Sequence, residues 1–191
     1  MKFLIVVFLL AGLGQCSWVK AADNIITIDQ VGSNNQYTIT QDYTGNKVDI
    51  SNTGDSNVIG IMQGGFGQQT SNIKLTNGIS NTVSVNQNGT GNMIATVQNM
   101  NGSANNITVN QTGASNNTMN IIGATGTTNN ANTINATQSG NAGADKSFTL
   151  NMNGTNGANV TVQQTNPNQS NSGSMNIQCS TNCGNYSYIR N

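Results

Sequence analysis

The sequence predicts an all-β chain: a β-solenoid of stacked strand–arc–strand repeats with an amyloid-like cross-β arrangement. Turns of about 22 residues would stack six to seven deep. Three observations predict this. Asn24, Asn35, Asn46 and Asn57 lie eleven residues apart, and Gln30, Gln41, Asn52 and Gln63 keep the same step six residues behind them. Within each unit the Asn, two apolar residues and the Gln or Asn occupy alternate positions, the period of a strand with one buried face. Gly32, Gly54 and Gly65 follow two residues after the amide, with Tyr43 once in that place. A glycine there supplies the tolerance of positive φ that a tight arc requires, and glycine at that step also excludes a helix.

The elements follow in chain order. Residues 1–21 carry a lysine, the apolar run FLIVVFLLAGLG and small residues at Val19-Lys20-Ala21, the pattern of a signal peptide cut after Ala21. A lipoprotein reading at Cys16 is weaker because bulky Gln15 precedes it. The run is too short for the ~20 residues that span a bilayer. Residues 22–178 form the repeat region. Its first inward sets are Asn24-Ile26-Ile28-Gln30, Asn35-Tyr37-Ile39-Gln41, Asn46-Val48-Ile50-Asn52 and Asn57-Ile59-Ile61-Gln63. Thr27, Asp29, Thr38, Thr40, Lys47, Asp49 and Ser51 fall on the outward parity and suit water. The unit returns at Asn81 with Gln87, Asn92 with Gln98, Asn105 with Gln111 and Asn132 with Gln138, and Gly89, Gly113 and Gly140 supply further arcs. Degenerate copies begin near Ser71, Asn117, Lys146, Ala158 and Gly173, about thirteen units in all. Residues 179–191 form a tail containing CSTNC.

One such strand is unstable alone, so neighbouring units must stack and bury one another's faces. Stacking gives the amides their purpose. A buried Asn or Gln without a partner costs ~1–3 kcal/mol. In a stack the same amide lies above and below at about 4.8 Å, so each can donate one way and accept the other. The predicted structural ladder comprises Asn24, Gln30, Asn35, Gln41, Asn46, Asn52, Asn57, Gln63, Asn81, Gln87, Asn92, Gln98, Asn105, Gln111, Asn132 and Gln138.

The segment Asn81-x5-Gln87-x-Gly89-x-Gly91-Asn92-x5-Gln98 resembles the curlin repeat, S-x5-Q-x-G-x-G-N-x5-Q. Residues 24–41 fit the same frame, with Asn24 for Ser and Asn34 for the second Gly, and the likeness extends over nearly all of the chain after residue 21. The resemblance implies a β-solenoid subunit of curli, the extracellular amyloid fibres of bacterial biofilms that serve adhesion and surface colonisation. It also implies a secreted, cell-surface homopolymer, export through a dedicated outer-membrane pore and a nucleating paralogue. Two departures bear on the export route and on which subunit this is. Asn24 begins the first unit beside the predicted cleavage site, where the family's major subunits carry a non-repeat segment. The units also become irregular after Gln63, with insertions such as GGFGQQT and IIGATGTTNN.

The remaining signals narrow the functional class. Charged residues make up 6% of the chain and there is no His; no Glu occurs either, so the groups that general acid–base catalysis needs are missing. Every Asp falls on an outward strand position, in an arc or near a terminus. The reading is of a non-enzyme without cofactor, metal, nucleic acid or small-molecule substrate. A basic patch and aromatic stacking platforms for nucleic acid are lacking. GGFG at 64–67 faintly matches a calcium nonapeptide, but Gln69 stands where its Asp belongs. Cys179 and Cys183 are a candidate disulfide in an exported protein. With few charges, one Pro and an open first strand, little opposes pairing with another copy. The competing expectation is a monomeric secreted solenoid that binds ice or a glycan through its outward Thr residues.

Overall fold

A computed structural model describes residues 6–7, 24–98, 101–123 and 128–191. The described chain is all β and forms a solenoid of about seven turns at about 24 residues per turn. Two parallel sheets face each other. The first holds β2 (Ile25–Val31), β4 (Lys47–Thr53), β6 (Gln69–Thr76), β8 (Met93–Gln98), β10 (Asn117–Gly123), β12 (Lys146–Asn153) and β14 (Asn171–Gln178). A two-residue strand, β1 (Val6–Val7), lies alongside β2 at Thr27 and Ile28. The second sheet holds β3 (Gln36–Gln41), β5 (Val58–Gly64), β7 (Thr82–Gly89), β9 (Asn106–Gly113), β11 (Thr133–Gly140), β13 (Asn159–Gln164) and β15 (Asn185–Arg190).

The chain alternates between sheets, so each strand pairs with the strand one turn away. Gln36 pairs with Val58 and Val58 with Thr82, a step of 22 and then 24 residues. Later turns lengthen: Asn117 pairs with Lys146, a step of 29. The strands keep their length while the arcs absorb the extra residues. Inward side chains of the two sheets form one core, running from Tyr37, Ile39, Val48 and Ile50 through Val83, Ile107 and Ile121 to Phe148, Val160 and Ile177. Each buried Val, Ile or Leu contributes about 1.5–3 kcal/mol, and β-branched side chains suit a pleated surface. Mixed parity would have exposed half of these side chains in every strand.

Three expectations about the elements are corrected. In β8 the inward residues are Met93, Ala95 and Val97, while Asn92 and Gln98 are exposed and Ile94 is 41% exposed. The opposite parity wins because it buries three apolar residues and aligns with Gln69, Ser71 and Ile73 on one side and Asn117, Met119 and Ile121 on the other. The repeat also does not end at residue 178, where β14 of the seventh turn closes. The predicted tail contains β15, which pairs in register with β13 from Asn185↔Asn159 to Arg190↔Gln164. Finally, β6 begins its inward set at Gln69 rather than Ser71.

Candidate functional site

The amides of the second sheet make two continuous columns. In one, Gln41 Nε2 donates to Gln63 Oε1 at 2.8 Å, Gln63 to Gln87 at 3.0 Å, and Gln87 to Gln111 at 2.9 Å. The column continues with Gln111 to Gln138 at 2.8 Å and Gln138 to Gln164 at 2.9 Å. Each amide from Gln63 onward spends its other N–H across the core, on a carbonyl of the first sheet: Lys47, Thr70, Ile94, Thr118 and Ser147 in turn. The ladder therefore runs along the stack and also ties the two sheets together. Gln164, a member absent from the expected ladder set, closes the degenerate copy that begins at Ala158, where the leading Asn is replaced.

The second column opens each strand of the same sheet. Asn57 N–H donates to Asn35 Oδ1, and the pattern recurs for Asn81 on Asn57, Asn105 on Asn81, Asn132 on Asn105 and Ala158 on Asn132. The Asn Nδ2 groups donate to the same oxygens and to arc carbonyls such as Gly78, Gly102, Asn129 and Thr155. An Asn side chain here replaces a missing backbone rung at the corner, which satisfies groups that burial would otherwise strand.

The first sheet is less regular. Asn24 Oδ1 accepts Asn46 N–H, and Asn46 Oδ1 accepts Gln69 N–H; the column then continues through Met93, Asn117, Lys146 and Asn171. Gln30 does not join an amide ladder: its Nε2 donates to Gly32 O. Its neighbour Asn52 instead donates to the Tyr37 hydroxyl and accepts from Asn57 Nδ2. Burial raises the Tyr37 phenol above its ordinary pKa, and the Asn52 contact opposes that shift. Beyond Asn52 the column turns apolar at Leu75, so no acceptor follows. Asn92 and Gln98 lie outside the core, yet Asn92 is bonded: Gln68 N–H donates to its Oδ1, and its own N–H donates to Asn116 Oδ1. Asn116 N–H then donates to Asp145, and Ser33 donates to Asp55 in the same manner at another corner. Arc carboxylates thus act as clasps between turns.

The arc glycines are fixed by close approach. A Cβ on Gly54 would lie 1.9 Å from Gly78 O, and one on Gly89 would lie 1.8 Å from Gly113 O. Gly32, Gly54, Gly65 and Gly113 also have positive φ, but Gly89 and Gly140 do not. For those two the expected reason fails and spacing is the constraint; at Gly140 the nearest atom is Ala144 O at 2.8 Å. A disulfide joins Cys179 and Cys183 in the arc before β15.

Two further features were not foreseen. Lys146 occupies a ladder position with 1% of its surface exposed, and its Nζ donates to Ala144 O and Gln169 O. Burial lowers its pKa from the ordinary value, while Asp145 pulls it back up. Among the described residues five buried polar atoms accept or donate nothing: Gln41 Oε1, Gln69 Oε1, Asn86 Oδ1, Asn129 Nδ2 and Asn171 Nδ2. Two of these, Gln41 and Asn171, sit on the outermost turns.

On the outside, a shallow open groove is lined by Asp49, Ser51, Asn72, Lys74, Thr96 and Gln98. Among the described residues no group of three His, Cys, Asp or Glu gathers to hold a metal. No family model, no curated protein and no solved structure matches the chain.

Proposed function

We propose that this protein is a secreted structural subunit that self-assembles into extracellular, curli-like amyloid fibres. One observation carries the reading. The second sheet is a column of repeating hydrogen-bonding units whose terminal strands, β3 and β15, are each paired on one side only among the described residues. Such a sheet presents a row of unpaired N–H and C=O groups at each end, and open edges recruit further strands. The Gln column adds direction, since every amide donates toward the C-terminal end. Assembly by edge templating extends both the apolar and the amide columns into a new chain. A nucleating paralogue and an outer-membrane pore belong to this reading through the curlin resemblance alone.

Fibre diffraction of the exported chain at neutral pH tests it: a ~4.8 Å meridional reflection is expected, and a solution still monomeric after days overturns it. The competing reading is a monomeric binder of ice or glycan. Its outward candidates on the second sheet follow the sequence Thr38, Gly60, Ser84, Thr108, Asn135 and Thr161, so no matched Thr row forms for ice.

A further inference from the structure

The Gln column ends at a different residue. In-register pairing of β13 with β15 sets Arg190 directly after Gln164. Arg190 reproduces half of a ladder glutamine's bonding: its Nη1 donates to Ser172 O. Ser172 pairs with Ser147, the carbonyl that Gln164 uses. What Arg190 lacks is an acceptor, because a guanidinium only donates. It closes the ladder toward Gln164 and offers donors outward. At the opposite end Gln41 Oε1 is buried and accepts nothing from the described residues, while Gln41 Nε2 is committed to Gln63. One end of the stack has a surplus donor, and the other an acceptor left without one.

The corner column of the first sheet also continues across such a junction. Asn171 on β14 is buried, and among the described residues its Nδ2 has no partner. Continuing its column by one turn reaches Asn24, whose Oδ1 already receives Asn46 N–H as Asn171 Oδ1 would receive Asn24 N–H. Between the amides, the same continuation sets Tyr186 against Tyr37 and Tyr188 against Ile39, apolar on apolar.

We propose that a second copy of this chain docks head to tail, with β15 of one copy adding in register to β3 of the next and Arg190 donating to Gln41 Oε1. This rests on the self-assembly reading and gives it a junction, a register and a polarity. The interface is heterologous, so it propagates rather than closes. β1 lies on the edge of β2 at Thr27 and Ile28, so the junction belongs to the chain freed of its leader.

The register is testable by cross-linking. Outward Thr38 and Ser187 become neighbours across the junction at about 4.8 Å between Cα atoms, within disulfide reach. Thr40 and Ser187 are offset by two residues, about 8 Å apart, and out of reach. In fibres of the exported T38C/S187C chain, mild oxidation is expected to give a ladder of covalent multimers. The T40C/S187C chain should give none, and mixed T38C and S187C single variants should give only dimers. Arg190→Glu is expected to slow seeded elongation at least tenfold by setting an acceptor against an acceptor, while Arg190→Gln, which restores a ladder amide, keeps the wild-type rate. Wild-type fibres without the T38C/S187C ladder, dimers from T38C alone, or unchanged elongation of Arg190→Glu would each overturn the junction and leave self-assembly standing. The last outcome would identify Tyr186, Tyr188 and Arg190 as a cap. Absence of wild-type fibres overturns both.

Discussion

Gln111→Ala at the middle of the Gln column isolates the energetic role of the ladder. Gln111 accepts from Gln87 Nε2, donates to Gln138 Oε1 and donates to Ile94 O. Truncation leaves Gln87 with a remaining acceptor at Thr70 O, so its loss is modest. Among the described residues Gln138 Oε1 has no other donor and becomes a buried orphan, which costs ~1–3 kcal/mol. The two other lost hydrogen bonds add about 1 kcal/mol each, and the space left by the side chain adds more. The orphan and the two lost bonds together come to about 3–5 kcal/mol before the empty space is counted. Outward Asn106→Ala in the same strand is the control and should change stability by no more than about 0.5 kcal/mol. Urea unfolding of the soluble chain, followed by far-ultraviolet circular dichroism below the concentration at which it assembles, separates the two. At a slope of ~2 kcal/mol per molar, the Gln111→Ala midpoint should fall by about 2 M. Solenoid turns couple chiefly to their neighbours, so the transition should also broaden. Coincident midpoints for the two variants would deny the ladder any stabilising role and leave its amides as polar filler.

Gly89→Ala should disrupt the stack, because its Cβ would lie 1.8 Å from the Gly113 carbonyl, whereas Gly60→Ala meets nothing within 4 Å. Thermal unfolding should show a large fall in midpoint for the first and little change for the second. Lys146 has a lowered folded-state pKa, so above that value the unfolded chain binds more protons than the folded one. Stability should therefore rise with pH from the lowered value up to the unfolded value of ~10.4. Denaturation midpoints of Lys146→Met, measured across the alkaline range, should lose that rise.

The early turns were legible in the sequence because two local patterns agreed there. The eleven-residue step and the alternating parity both assign β2 to β5 the inward sets that the structure buries or half-buries. β8 departs from its local frame, in which Asn92, Ile94 and Gln98 share one parity with Thr96 in the second apolar place. The competing parity is selected by neighbours one turn away, information that no window along the chain contains. β15 was hidden because Tyr188 and Arg190 occupy columns elsewhere filled by Ile, Val, Ala and Gln. A degenerate copy begins near Lys146, but nothing local says that the ammonium is buried on two backbone carbonyls. The ladder itself was readable in principle, but its cross-core half was not: that Gln63 reaches the Lys47 carbonyl depends on how far apart the sheets stand.

The corner asparagines have a consequence for construction. Asn57 reaches Asn35 across 22 residues and Asn132 reaches Asn105 across 27, with the same bond in both cases. Alignment is held by a side chain at the corner, so the length of the connecting segment is free to change. Lengthening a flexible loop costs only ~0.6 kcal/mol per doubling. Foreign peptides grafted into the arcs that lead to these asparagines would be carried along one flank while the strands behind them stay aligned. The same property that let the repeat drift makes this solenoid a display scaffold.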